Sequence, residues 1–273
     1  MDKANLTILN EFILMGITDR PELQTPLFMF FLIIYIASVV GNLGLIILTM
    51  VDSRLQTPMH FFLRHLASTD LGYSTAVGPK MLFNFLAEQN TISYYACATQ
   101  MAFFIMFIVS EFFMLSAMAC DHYVAICNPL LYSVIMSQRC CHVLVVITYL
   151  YSTFQSLTVT TKVFTLTFCG SNVISHFYCD AMPLLPMLCS NRREEEFLII
   201  ALSACNLITS LLVILASYML MLIAILMNSP KGRRKAFSTC SSHLMVVIMF
   251  YGTLFMYMQP VSAHSFDTDK ITS

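Results

Sequence analysis

The chain contains no Trp, and only 11% of its residues are charged. A soluble domain of this size carries roughly 25% charged residues. That shortfall excludes a fully water-facing surface, and the 58% hydrophobic content, at a mean hydropathy of +0.76, has to face lipid. Without Trp, any aromatic belt at the membrane interface must be built from Tyr and Phe. A net charge of −1 supplies no basic footprint, so a nucleic-acid partner is excluded as well. Residues Met1 to Thr25 carry Asp2, Lys3, Glu11, Asp19 and Arg20 but no basic start followed by an apolar core. They do not form a cleavable signal peptide, and the first apolar run serves as the insertion signal.

Enzyme signatures are missing too. There is no HExxH, GxSxG or phosphate-cradling loop, and the His residues are scattered. His176 and Cys179 share a Cys-containing loop, yet their spacing does not repeat as a zinc site would. The sequence therefore predicts no enzyme, no catalytic residue and no structural metal. Internal repeats, low-complexity tracts and a second domain are also lacking, so residues 1–273 read as one transmembrane domain.

What is present is a set of six long apolar stretches, at about 27–50, 58–81, 97–120, 141–161, 197–227 and 236–258. About 20 apolar residues suffice to cross a bilayer. The first stretch has no charge, the third only Glu111, and the fourth and fifth no Asp, Glu, Lys or Arg. The sixth is uncharged apart from His243. The second is harder, because it carries Arg64, His65 and Asp70. A charge near the bilayer centre costs about 2.5–3.5 kcal/mol on the insertion scale. Arg64 lies near one end and can snorkel. Asp70 is central, so the polar face of this span must point into the bundle. The fold class is all-α, a polytopic transmembrane helix bundle.

Loop charges orient it. Lys231, Arg233, Arg234 and Lys235 lie between the fifth and sixth spans with no acid among them, and such loops stay cytoplasmic. This places the N-terminus (1–26), the loop 162–196 and the tail 259–273 outside. Asn5-Leu6-Thr7 is a glycosylation sequon that fits an outer N-terminus. Cys97, Cys169, Cys179 and Cys189 fall on the outer side, where disulfides persist, and four Cys allow three pairings. Cys127, Cys140 and Cys141 face the cytoplasm as thiols.

Asp70 and Glu111 are acids inside apolar spans, which marks them for cation binding, proton relay or a structural hydrogen-bond hub. On the third span Met101, Phe104, Ile105 and Ile108 form one stripe, and the sixth span offers Ile248, Tyr251 and Phe255 at similar spacing. Such stripes serve helix packing. They also suit the wall of a greasy cavity for a small apolar ligand, with Cys205, and with Tyr251 or Asn206 as polar anchor. Twenty Met and twenty-two Phe fit an adaptable pocket.

At the inner end of the third span stands Met118-Ala-Cys-Asp-His-Tyr-Val-Ala-Ile-Cys127-Asn-Pro-Leu-Leu-Tyr132. It resembles the MAYDRYVAICNPLLY signature of olfactory receptors, a branch of the rhodopsin-like G-protein-coupled receptors. Gly41-Asn42, Pro58-Met-His-Phe-Phe-Leu63, Ser217-Tyr218 and Lys235-Ala-Phe-Ser-Thr-Cys-Ser-Ser-His-Leu244 resemble further motifs of that family, in the same order. The resemblance runs through Lys270. It implies a rhodopsin-like bundle in the plasma membrane that binds a volatile small-molecule odorant among spans three, five, six and seven. It would signal through a heterotrimeric G protein of the olfactory stimulatory type.

The same resemblance implies disulfides Cys97–Cys179 and Cys169–Cys189. It assigns coupling and activation to Asp121, His122, Tyr123, Tyr218, Lys235 and His243. It implies no cofactor beyond an allosteric sodium ion at Asp70 and Glu111. Three departures stand out. His122 replaces the family's Arg, whose charge is permanent, with a shorter group that titrates near 6.5. Cys120 and His60 replace two Tyr. The family continues past Ser265 to Lys270 into a seventh span, so the chain is expected to hold six spans with the seventh missing. Two alternatives accompany this reading. One is an inert, truncated product retained in the endoplasmic reticulum. The other is a small transporter using Asp70 and Glu111, against which the lack of repeats counts.

Overall fold

Pro21, with its φ already suited to a helix, opens the first long helix, α1 (Pro21–Val51), which continues through Pro26. At about 1.5 Å per residue it is about 46 Å long, more than the ~30 Å hydrocarbon core requires. None of its most apolar 18 residues is buried, so its surface is greasy all round. In the computed structural model the described residues are 11–16, 18, 20–87, 90–168, 172–189, 192–227, 241 and 243–254.

A short 3-10 turn, Ser53–Leu55, leads into α2 (Pro58–Leu86), whose N-terminus is capped by the Thr57 hydroxyl accepting from the His60 amide. Then come α3 (Tyr94–Cys127), the single turn α4 (Tyr132–Ile135) and α5 (Gln138–Thr165). The turn α6 (Ala181–Leu184) precedes α7 (Arg192–Met227), and α8 covers His243–Leu254. Four of these, α1, α3, α5 and α7, are long and apolar enough to cross a membrane. The polar load of Arg64, His65, Asp70 and Lys80 keeps α2 out of that set, and α8 is shorter.

The chain divides into two compact units, residues 1–114 with 138–210, and residues 115–137 with 211–273. In the first unit α1 packs along α2, where Gly78 permits close approach: a Cβ there would lie 2.6 Å from the Tyr35 ring. Gly72 on α2 plays the same part toward α3, since a Cβ would overlap the Phe107 ring.

A small three-stranded sheet is the feature that no periodicity announces. Strand β1 (Glu11–Leu14) lies in the middle, antiparallel to β2 (Thr91–Ser93) and parallel to β3 (Val173–Ile174). Phe12 and Leu14 point into the core, at 0% and 2% exposure, while Glu11 and Ile13 point out. Phe12 stacks on Tyr94 and meets Phe168 edge-on. The N-terminal segment is thus pinned onto the first unit by alternate apolar residues. Beneath it Cys97, Met101, Val159, Val163, Ile174, Cys179 and Leu184 form one apolar cluster.

Candidate functional site

The expected ligand-facing stripe of α3 lies in the first unit. Met101 is fully buried in the cluster under the sheet. Phe104 sits between two aromatic rings, with centroids 5.4 Å from Tyr73 and 5.1 Å from Tyr178. Ile105 and Ile108 are half-buried beside Phe104, Val77 and Tyr178. The loop that supplies Tyr178 is tied to α3 by a disulfide between Cys97 and Cys179. Gln100 strengthens the tie, accepting from the Cys179 amide at 3.0 Å and donating to the Ala76 carbonyl at 2.9 Å. One face of α3 therefore meets α2 and the loop through aromatic rings, with the loop held by both covalent and hydrogen bonds.

Asn206 is 2% exposed on α7 and both ends of its amide are engaged by α5. Its Nδ2 donates to Gln155 Oε1 at 2.9 Å, and its Oδ1 accepts from the Tyr151 hydroxyl at 3.0 Å. Satisfied buried amides of this kind hold helices in one arrangement. Cys205 beside it is an exposed free thiol. Sequence periodicity did not reach Tyr73, Gln100, Gln155 or Tyr178, because their roles come from partners far away in the chain.

Asp70 and Glu111 are half-buried in the same unit and within electrostatic reach of one another. Among the described residues neither accepts a hydrogen bond or pairs with a cation. On the loop, burial holds the His176 imidazole below its usual 6.5, an effect that Asp180 partly offsets.

The second unit holds the expected coupling residues. Asp121 is 1% exposed, and its Oδ1 accepts from the Tyr132 hydroxyl at 2.9 Å. His122 makes no ion pair with Asp121; its ring instead meets His243 edge-on, centroids 5.2 Å apart. The Tyr218 hydroxyl lies 2.5 Å from His243 Nδ1, their rings stacked at 6.0 Å. Cys120 Sγ and Ser217 Oγ are 3.7 Å apart. Tyr123 is half-buried. Tyr132 was legible only as the last letter of the α3 motif, and its bond to Asp121 is new.

Also in this unit, Ile248 is exposed and Tyr251 half-buried on α8. Phe255, Lys235, Asn5 and Cys169 lie outside the described residues. Cys189 is disulfide-bonded.

The family model described as olfactory receptor matches residues 31–267. Among curated relatives, human olfactory receptor 8K3 is 68% identical over 274 residues, covering 100% of this chain and 88% of the relative. Human olfactory receptor 8K5 is 68% identical over 275 residues, covering 100% and 90%. Mouse olfactory receptor 8U3 is 54% identical, again over 100% of the chain and 86% of its own length. With a family model spanning most of its length and relatives this similar from end to end, the chain belongs to the olfactory receptor family, a multi-pass family of membrane receptors and not of enzymes.

Proposed function

We propose that the chain recognises a small apolar odorant at the α3 face where Phe104 stands between Tyr73 and Tyr178. The observation that carries this reading is the aromatic cluster itself, beside a loop anchored by Cys97–Cys179 and Gln100. Ile105 and Ile108 supply the aliphatic wall. Asn206 and Tyr151, bonded to each other and, through Asn206, to Gln155, lie in the same unit and would orient a ligand hydroxyl or carbonyl by exchanging one of those bonds. The membrane belongs at the cell surface, with the N-terminus outside and the Lys231–Lys235 loop inside, as the loop charges require. Coupling runs to a stimulatory heterotrimeric G protein through Asp121, His122, Tyr123, Tyr218 and His243, with Lys235 on the cytoplasmic side.

His122 weakens that coupling, because a shorter, titratable imidazole replaces a permanently charged guanidinium. Asp70 and Glu111 fit a sodium ion. Two carboxyls within reach of each other and without a protein cation attract a monovalent charge, and both would ligate it through oxygen. The family match does not favour a transporter.

The deciding experiment is cyclic AMP production in cells expressing the chain, against an odorant panel. Phe104→Ala should raise the half-maximal odorant concentration about tenfold or more, while His122→Arg should raise the maximal response. An odorant response indifferent to Phe104→Ala and Tyr178→Ala together would remove the α3 face from the reading. Sodium is checked separately, as a rise in thermal midpoint in sodium over choline chloride that Asp70→Asn abolishes.

A further inference from the structure

Where α1 ends and α2 and α5 begin, the first unit contains an open cavity of about 210 Å³. Its lining is one-sided in charge: Arg64, His60 and His142 stand among neutral polar groups that include Thr57 and Gln138, with neither Asp nor Glu. Arg64 makes no ion pair among the described residues; its guanidinium lies 5.2 Å from the Phe61 ring centroid. Phe61 in turn packs against His142, centroids 4.7 Å apart, so the cation rests on a braced aromatic platform.

Both imidazoles are held by one nitrogen. His60 Nδ1 is 2.7 Å from the Thr57 hydroxyl, and His142 Nδ1 is 2.6 Å from the Gln138 carbonyl. A carbonyl only accepts, so His142 Nδ1 carries the proton there. Nε2 is then the remaining polar atom of each ring. Arginine and two tethered imidazoles share one cavity, and no acid lines it.

We propose that this cavity binds the phosphate of an anionic phospholipid headgroup, with Arg64 as its principal ligand. Arg is suited to that role because its planar fork meets phosphate oxygens two at a time. A lipid is favoured over free phosphate by the site's position and its wall. The cavity sits at the ends of long apolar helices, and Met50, 59% exposed on the last turn of α1, gives it an apolar rim for an acyl chain. The assignment rests on the proposed orientation, which puts the loop 51–57 at the cytoplasmic leaflet, where anionic lipids concentrate.

The test is native mass spectrometry of the full-length purified chain in micelles doped with a phosphatidylinositol phosphate or with phosphatidylcholine. The anionic lipid should be retained preferentially. Arg64→Gln should cut that retention about tenfold, the loss expected for one charge-assisted pair. Arg64→Lys, which keeps the charge and packing, should cut it less. Arg139→Gln changes an exposed cation that does not line the cavity and should leave retention within about twofold. Equal loss in Arg64→Gln and Arg139→Gln would show mere surface attraction and overturn the site. Displacement of the lipid by millimolar inorganic phosphate would overturn the lipid assignment in favour of a free anion. Micelles have no sidedness, so these outcomes are separable from the orientation, which labelling of an N-terminal epitope on intact cells tests by itself.

Discussion

Tyr132→Phe is the most informative single change, because it removes one atom from a bond that two distant-looking motif letters make. Asp121 is 1% exposed and its Oδ1 accepts from the Tyr132 hydroxyl at 2.9 Å. Phenylalanine keeps the ring of α4 in place and deletes only the donor. A hydrogen bond contributes about 0.5–1.5 kcal/mol when neutral and about 1.5–3 when one partner is charged, and a stranded buried acceptor costs about as much. The expected loss is therefore about 1–3 kcal/mol, centred near 2. If that bond is made in the resting arrangement and not in the signalling one, the same energy shifts the balance toward signalling about thirtyfold.

Two assays read it. The thermal midpoint of the purified receptor should fall, and odorant-free cyclic AMP should rise. A double-mutant cycle with Asp121→Ala isolates the pair, and its coupling energy should be about 1–2 kcal/mol. A coupling below about 0.3 kcal/mol, with basal signalling unchanged, would refute the assignment of this bond as a restraint.

Gly72→Ala should lower stability by about 1–3 kcal/mol through overpacking against Phe107, and Phe107→Leu should recover part of the loss in a thermal assay. Phe12→Ala, at a fully buried strand position, should cost about 3–5 kcal/mol and expose the N-terminal segment to protease. Because burial holds His176 below 6.5 in the folded state, the unfolded chain binds more protons as pH drops through that value. Stability should therefore decline from pH 7 downward and level off below the folded pKa. A pH series of thermal midpoints should show His176→Gln losing that component, and a variant with undiminished slope would dismiss it.

Much of the bundle was legible in the order of residues. An 18-residue apolar run has one way to satisfy its backbone in lipid, so α1, α3, α5 and α7 follow from composition and length. The α3 motif and the SY and SHL motifs identify the family and mark Asp121, His122, Tyr218 and His243. The sheet was not legible. Glu11–Leu14 is four residues long, and it becomes a strand only because Thr91–Ser93 and Val173–Ile174 offer it partners. Nor does a stripe such as Met101 to Ile108 say which members are locked in packing; Met101 is, and Phe104 stands between two rings.

The sequence by itself determined membrane class, the four membrane-length apolar helices and family, since these depend on local hydropathy and on contiguous motifs. Tertiary structure decided the pairings: Gln100 with Cys179, Asn206 with Gln155 and Tyr151, Asp121 with Tyr132, and His122 with His243. It also gathered Arg64, His60 and His142 around one cavity without an acid. Buried polar groups must find partners, and which partner each finds is a matter of distance in space that the linear order does not specify.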